Sequence, residues 1–286
     1  MTYDHLEAWR GDPDGDAWLA ALPTLVAECA ERWALRLGPP WTNSVASLTM
    51  PAARDGESLV LKIQFPDREG LHEAAALARW DGDGAVRLVD HDPGRRALLL
   101  ERCLPGTPLT AIDPERALDV VIGLLPRLWV AAGAPYRSLA AEAAELAEEM
   151  TEHRSRSGDA VDARLIDAAR AAFAELAPTQ GPQVLVNQDL HADNVLRAER
   201  EPWLAIDPKP LAGEREFGVA AIVRGGELGH SRGAVLHRLD RVSAELGLDR
   251  ERVRGWTLAH TVAWGFDDGG PIREHFETAT WLLDAR

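Results

Sequence analysis

The chain has 286 residues, with 31 Lys and Arg against 46 Asp and Glu, a formal net charge of −15 at pH 7. So acidic a chain argues against a nucleic-acid partner, while an apolar share of 46% is that of a globular protein with a core to bury. Its two cysteines, Cys29 and Cys103, lie far apart in apolar surroundings, fit neither a metal spacing nor a disulfide framework, and read as buried thiols of a reducing cytosol.

Met1 to Asp16 is acidic and broken by Gly and Pro, unlike a signal peptide. No apolar run approaches the roughly 18 residues of a membrane span, so a soluble, cytoplasmic protein without a membrane partner is expected. Asp16 to Leu35 reads as an amphipathic helix, with Trp18, Leu22, Leu25, Val26, Cys29 and Trp33 at helical spacing. Pro23 falls inside it as a kink or a split. Two strands follow, Ser44 to Met50 and Ser58 to Gln64, joined as a hairpin across the turn-rich Pro51 to Gly56. In the second, Leu59, Leu61 and Ile63 share one face and Val60, Lys62 and Gln64 the other. A helix is expected from Asp67 to Trp80, stopped by Asp81-Gly82-Asp83-Gly84, and a second strand pair at Ala85 to His91 and Arg96 to Arg102.

After Pro105-Gly106-Thr107-Pro108 the pattern changes. Asp113-Pro114-Glu115 is a helix start with Asp as N-cap. Helices are expected from there to Val130, from Ser138 to Arg156 and from Val161 to Leu176. Three short apolar runs then follow, Val184 to Val186, Val195 to Leu196 and Trp203 to Ile206. Beyond them Glu216 to Gly229, Ala234 to Leu246, Asp249 to Trp264 and Ile272 to Leu283 carry helical patterns. The architecture is α+β: a small lobe over 1–103, a hinge near Cys103 to Pro108, and a larger, mostly helical lobe over 104–286. A cleft between two such lobes is where a small molecule would bind.

Two of the apolar runs lead into carboxylates, Asp189 and Asp207. Burying an acid is costly unless it holds a metal, a proton or a partner. The spacing D-x-x-x-x-N from Asp189 to Asn194, then an apolar strand ending in Asp207-Pro208, is that of a kinase catalytic loop and its metal-binding Asp. In phosphoryl transfer to an alcohol, a carboxylate must orient the hydroxyl and accept its proton, which is the role read for Asp189. Asn194 and Asp207 offer the hard oxygen ligands that Mg²⁺ prefers. Taken alone the same residues would cap turns; the order of the motifs favours chemistry. Asp189-Leu190-His191-Ala192-Asp193 also matches a metallohydrolase D-x-H-x-D pattern, but it lies in a turn-like stretch and no second His cluster accompanies it.

Lys62, alone in an apolar strand, needs an anion. In a kinase-like lobe this Lys reaches the ATP phosphates and pairs with a Glu on the next helix; Glu73 is better placed for that than Glu69. The phosphate loop is unusual, because Trp41 to Ser47 contains no glycine. Ser44 and Ser47 are the candidates there for phosphate hydrogen bonds.

Leu190-His191-x-x-Asn194-Val195-Leu196, with the stretch from Ala198 to Gly213, closely resembles the streptomycin 6-phosphotransferase and hydroxyurea kinase family of aminoglycoside phosphotransferases. The likeness extends to Trp80-x-Gly82-Asp83-Gly84 through Asp92, to Leu98 through Arg102 and to Leu246 through Arg250, most of the chain. It implies a protein-kinase-like fold of two lobes and an O-phosphotransferase using ATP, or GTP in its place, with Mg²⁺. Its acceptor would be a hydroxylated small molecule, cationic in many cases, of the aminoglycoside or hydroxyurea type. By motif position, Asp189 would be the base, Asn194 and Asp207 the Mg²⁺ ligands, and Lys62 with Glu73 the phosphate contact, while the backbone around Glu101 to Cys103 would receive adenine.

Departures from the pattern are also present. Asn187-Gln188-Asp189 stands where the family usually has H-G-D or H-W-D; that His is mainly structural, so the chemistry survives the change. Gly213 to Gly218 replaces G-D-P-x-x-D, with Glu214 and Glu216 as stand-ins for the acidic site. Trp264, Asp267 and Asp268 are further acceptor candidates, since carboxylates beside aromatics suit cationic or polyol ligands. A choline, sugar or amino-alcohol kinase of the same fold and a non-catalytic nucleotide-binding protein are the rival readings. A monomer or a homodimer is expected.

Overall fold

An antiparallel sheet of five strands organises the first of two units in the computed structural model, which describes residues 4–44, 46–157, 161–267 and 270–285. That unit comprises 1–106 together with 197–204; the second comprises 107–196 and 205–286. After a 3₁₀ turn at Asp4–Trp9 comes helix α1, Pro13–Arg32, capped by Asp12, whose Oδ1 accepts the Gly15 N–H at 2.9 Å. Strands β1 (Arg36–Leu37), β2 (Ser47–Arg54) and β3 (Glu57–Gln64), helix α2 (Glu73–Trp80), then β4 (Leu88–Asp92) and β5 (Ala97–Glu101) complete the order. The sheet runs β1-β2-β3-β5-β4. Leu59, Leu61 and Ile63 turn to one side as the alternation requires and bury against Trp18, Leu22 and Cys29 of α1. Trp9 stacks on Phe65 at the edge of this core, with ring centroids 3.6 Å apart.

Three elements differ from the expectation. The hairpin turns at Asp55-Gly56, where both residues have positive φ (49° and 88°), the backbone that a two-residue turn needs. Pro51 therefore lies inside β2, opposite Val60. Its carbonyl accepts the Gly38 N–H on the β1 side, so its missing donor falls on that side and the ladder to β3 loses nothing. Helix α2 starts at Glu73 rather than Asp67, because Asp67 Oδ1 accepts the Gly70 N–H at 2.6 Å and closes a turn there instead. Helix α1 runs through the exposed Pro23 without a break.

Residues 197–204 enter the first unit through Arg200. Its guanidinium donates to both oxygens of Glu101 (2.8 and 2.9 Å) and to the carbonyls of Gly82 (2.7 Å) and Ala85 (2.9 Å). Burial, the largest single influence, would raise the Glu101 carboxyl, but the hydrogen bonds and charges of Arg200 and Arg87 together hold the group below its ordinary value.

The second unit is mostly helical. Its elements are α3 (Pro114–Leu128), α4 (Leu139–Ser157), α5 (Ala163–Leu176), β6 (Val184–Asn187), parts of β7 (Val195–Arg197) and β8 (Trp203–Ala205), whose residues 197 and 203–204 belong to the first unit, β9 (Pro210–Gly213), α6 (Ala220–Arg224), α7 (Arg232–Leu246) and α8 (Arg250–Ala263). Strands β10 (Phe266–Asp267) and β11 (Gly270–Pro271) and helix α9 (Arg273–Leu283) close it. Strand β6 pairs antiparallel with β9, and β7 with β8. The β6–β9 ribbon lies near α4, and Gly213 is required there: a Cβ would come within 2.7 Å of Leu139. The expected helix over Glu216 to Gly229 is broken into α6 and two 3₁₀ turns, Phe217–Val219 and Gly226–Leu228. Among the described residues no helix is long and apolar enough to cross a membrane.

Helix α8 is buried along most of its length and carries His260, fully enclosed between Phe217 and Trp264. Arg224 Nη1 lies 2.8 Å from His260 Nδ1 and can only donate, so the imidazole proton sits on Nε2. Burial first, then Arg224, pushes the His260 pKa well below its ordinary value, and the same two causes bring His275 to about 4.

Two outcomes follow from these contacts. Arg200→Met leaves Glu101 without its guanidinium and should cost about 2–3 kcal/mol in urea unfolding, whereas Arg36→Met, on an exposed side chain, should cost almost nothing. For the histidines, the unfolded chain binds protons near pH 6.5 while folded His275 resists until about 4. The unfolded state therefore gains protons first, and stability is full above that window and lost as pH falls through it. Thermal melts from pH 7 to 5 should fall less steeply for His275→Gln than for the parent.

Candidate active site

Asp189 stands two residues beyond the end of β6, and the reason its loop holds shape is Asn187. The Asn187 Oδ1 accepts the N–H of Asp189 at 3.0 Å and that of Lys209 at 2.9 Å. Gln188 N–H donates to Lys209 O at 3.1 Å, extending the β6–β9 ladder by one rung. At the other end of the loop Asn194 Nδ2 donates to Asp189 O at 3.0 Å, and Asn194 O accepts the Ile206 N–H at 2.9 Å. Asn194 thus has its amide nitrogen committed inward, so Oδ1 is the atom it could offer to a metal. Asp207 follows β8 with φ 50°, a left-handed backbone that Asp tolerates better than most residues.

The Asp189 carboxylate is 16% exposed. Its Oδ2 lies 3.5 Å from Lys209 Nζ and 3.5 Å from Asn194 Nδ2, and its Oδ1 lies 3.9 Å from His191 Nε2. Glu227 braces the loop, its Oε1 accepting the Ala192 N–H at 3.0 Å and lying 3.9 Å from His191 Nδ1. A pocket of about 210 Å³ opens beside Asp189, walled by Lys209, Arg224, Glu227, Trp264 and Glu274 among others. The metallohydrolase pattern does not assemble. Asp193 Oδ1 accepts from Thr110 Oγ1 at 2.8 Å instead, and among the described residues no group of three or more His, Cys, Asp or Glu is arranged for a metal ion.

The first unit presents Lys62, buried, with Nζ 2.6 Å from Glu73 Oε2. Gln64 Nε2, two residues along the same strand face, donates to the same oxygen at 2.7 Å. Sequence alternation put Lys62 and Gln64 on one face; that Gln64 would join the pair was missed. Ser44 and Ser47 hydrogen-bond each other, Oγ to Oγ at 2.9 Å, and Ser47 is buried at the head of β2. Glu101 spends its side chain on Arg200, and its N–H donates to Arg87 O. Cys103 is buried, and burial pushes its thiol up to about 12.

Glu214 and Glu216 are not brought to the Asp189 pocket. They line a different one with Arg215 and Arg252. The Glu214 carboxylate is buried and taken up by donors: Gly181 N–H at 2.9 Å, Arg252 Nη2 at 2.7 Å and Trp256 Nε1. Asp267 is exposed on β10 and absent from the walls around Asp189, while Asp268 lies outside the described residues. Trp264 is in the pocket. The residues that sequence reasoning missed are Lys209, Arg224, Glu227 and Glu274; the only signal for the first was its place directly after Asp207-Pro208.

With this geometry in hand, comparison with known proteins fixes the lineage. A family described as aminoglycoside/hydroxyurea antibiotic resistance kinase matches residues 32–269. A hydroxyurea phosphotransferase of Kitasatospora aureofaciens is 42% identical over 268 residues, covering 91% of this chain and 77% of that protein. A streptomycin 6-kinase of Streptomyces griseus is 40% identical over 270 residues, covering 91% and 88%. Among solved structures, a choline kinase of Streptococcus pneumoniae superposes with a TM-score of 0.66 at 12% identity over 92% of this chain and 99% of its own. A thermostable mutant of an aminoglycoside phosphotransferase, in a ternary complex with ADP and hygromycin B, gives 0.62 at 13% over 90% and 95%. The fold is protein-kinase-like, and the chain belongs to the aminoglycoside/hydroxyurea antibiotic resistance kinase family.

Proposed function

We propose that this chain transfers the γ-phosphoryl group of ATP to a hydroxyl of a small antibiotic-like acceptor bound in the pocket beside Asp189. The observation that carries the reading is the Asp189 carboxylate. It is held by Asn187 and Asn194 at the mouth of a pocket, with Oδ2 facing two nitrogen donors and Oδ1 turned the other way. Oδ1 accepts the proton of the acceptor hydroxyl as its oxygen bonds to the γ-phosphorus; the bond to the bridging oxygen breaks and ADP leaves. Lys62, kept in place by Glu73 and Gln64, meets the nucleotide phosphates. The ATP-binding role thus goes to the first unit and the acceptor-binding role to the second.

Asn194 Oδ1 and the Asp207 carboxylate are the residues that would hold Mg²⁺. One amide oxygen and one carboxylate suit an ion that takes its remaining ligands from phosphate and water rather than from a full protein cage. When bound, the ion neutralises phosphate charge as the transferred group loosens. The backbone near Cys103 remains the place proposed for adenine, and Ser44 the phosphate-side hydroxyl.

At about 210 Å³ the pocket is smaller than those of about 300–1,000 Å³ that enclose drug-sized ligands. It admits a small acceptor or one ring of a larger one. Glu227 and Glu274 on its walls offer carboxylates to a cationic group of that acceptor. The streptomycin and hydroxyurea named for the relatives are therefore the first compounds to test.

ADP release from Mg-ATP should be measured with streptomycin, other aminoglycosides, hydroxyurea and choline. Turnover of an antibiotic is expected, and Asp189→Ala should lower it by about 10²–10⁴-fold while ATP affinity stays within a factor of two. Full activity of that variant would sink the assignment of the base, and turnover of choline alone would move the chain to the metabolite kinases. Lys62→Met should raise the KM for ATP and leave the KM for the acceptor unchanged.

A further inference from the structure

Beside Asp189 runs a line of side chains, two of them cationic, that the transfer reaction, as written above, does not use. Lys209 is fixed at both ends. Its backbone N–H is held by Asn187 Oδ1 at 2.9 Å and its carbonyl by Gln188 N–H at 3.1 Å. Its ammonium sits 4.7 Å from the centroid of the Trp264 ring and 3.5 Å from Asp189 Oδ2. Trp264 also carries Arg224, whose guanidinium carbon lies 4.7 Å from the same centroid. Arg224 is aimed in turn by the buried, neutral His260, which accepts from Nη1 at 2.8 Å. From Asp189 the line reads Lys209, Trp264, Arg224, His260.

Stability does not account for the first link. For an ion pair at 3.5 Å between side chains only 21% and 16% exposed, the cost of desolvating both charges offsets much of their attraction, and ordering a lysine side chain costs entropy. What the link does is geometric. A carboxylate on a loop can rotate about its Cβ–Cγ bond, and a base that rotates offers its proton acceptor to the hydroxyl for only part of the time. Lys209 and Asn194 Nδ2 both address Oδ2, so the carboxylate is held with Oδ1 left for the acceptor. Lysine has four rotatable bonds of its own, and the ring of Trp264 restrains them through cation–π attraction. A ring already carrying two of the protein's own cations has a structural task in the pocket that does not require a cation on the acceptor.

We infer that Lys209 and Trp264 are a positioning pair for Asp189: Trp264 orients the Lys209 ammonium, and Lys209 fixes the carboxylate of the base. The inference rests on the assignment of Asp189 as that base. It predicts a defect mainly in turnover, because the role assigned to both residues, although they wall the pocket, is exerted on Asp189.

The test is steady-state kinetics of the full chain with Mg-ATP and streptomycin or hydroxyurea. Slow ADP release to water, measured with the same variants, is the readout should neither compound be phosphorylated. Thermal melts establish that each variant is folded. Lys209→Met should lower kcat by about 10²-fold, the size of a loss of alignment, with the KM for ATP and for the acceptor within about twofold of the parent. Lys209→Arg, which keeps the charge and the stacking, should recover most of the rate. Trp264→Leu should reproduce the kcat loss and Trp264→Phe should soften it. Since Trp264 acts through Lys209, the double variant Lys209→Met/Trp264→Leu should be no slower than Lys209→Met alone. A folded Lys209→Met with kcat within threefold of the parent overturns the inference. So does a loss confined to the acceptor KM, or a double variant whose two losses multiply. Asp189→Ala, run alongside, separates the two levels: if it remains active the base is misassigned, whereas if it is dead and Lys209→Met is not, only the positioning pair falls.

Discussion

One side-chain oxygen holds the site together. Asn187 Oδ1 accepts the N–H of Asp189 and the N–H of Lys209, residues twenty positions apart in sequence, one following β6 and the other preceding β9. A carbonyl oxygen has two lone pairs and here uses both. Because the amide is buried, water does not compete for those donors. The ladder bond from Gln188 N–H to Lys209 O is directly adjacent, so the start of the Asp189 loop and the end of the Asp207 loop move as one piece. Asn194 does the corresponding work at the far end, tying Asp189 O to the strand that leads into Asp207.

The substitution of Asn for the more usual His at position 187 takes on a physical meaning in this light. What the loop requires there is an acceptor that can receive two backbone donors at once. Asn provides one at the end of a short side chain, and the amide keeps its acceptor character across the whole physiological range of pH, which an imidazole does not. The first unit shows a comparable economy: Glu73 receives Lys62 and Gln64 on a single oxygen, with both donors coming from one face of β3.

Much of this was legible in the sequence. The strand alternation of β3, the Asp cap of α3, and the D-x-x-x-x-N spacing followed by an apolar run all mark local backbone preferences, and local preferences are what sequence patterns record. The pairing of Lys62 with Glu73 was readable because a buried cation must find an anion and few were in reach. What failed to show was anything decided by partners distant in sequence. Glu214 looks like a site acid from its motif, yet Arg252, Trp256 and Gly181 take up its oxygens, and none of the three is near it in sequence. Lys209, Arg224 and Glu227 become neighbours of Asp189 only after the chain has folded back through β9 and α6. The start of α2 was misplaced for a smaller reason, since the Asp67 turn competes with the helix on nearly equal terms.

The bond between Arg200 and Glu101 bears on how the chain can be made. The first unit is not continuous in sequence, because it takes residues 197–204 from well beyond its last contiguous residue, Gly106. As the polypeptide emerges from the ribosome, β5 exists for 99 residues of synthesis before the guanidinium that neutralises its terminal carboxylate has been added. A fragment cut after Gly106 would leave Glu101 without the guanidinium that donates to both of its oxygens, and so would lack part of what closes its own sheet. The sequence cannot be divided into two pieces that fold separately without cutting this bond, and the last steps of folding for the first unit belong to the time when the Asp189 loop has already been synthesised.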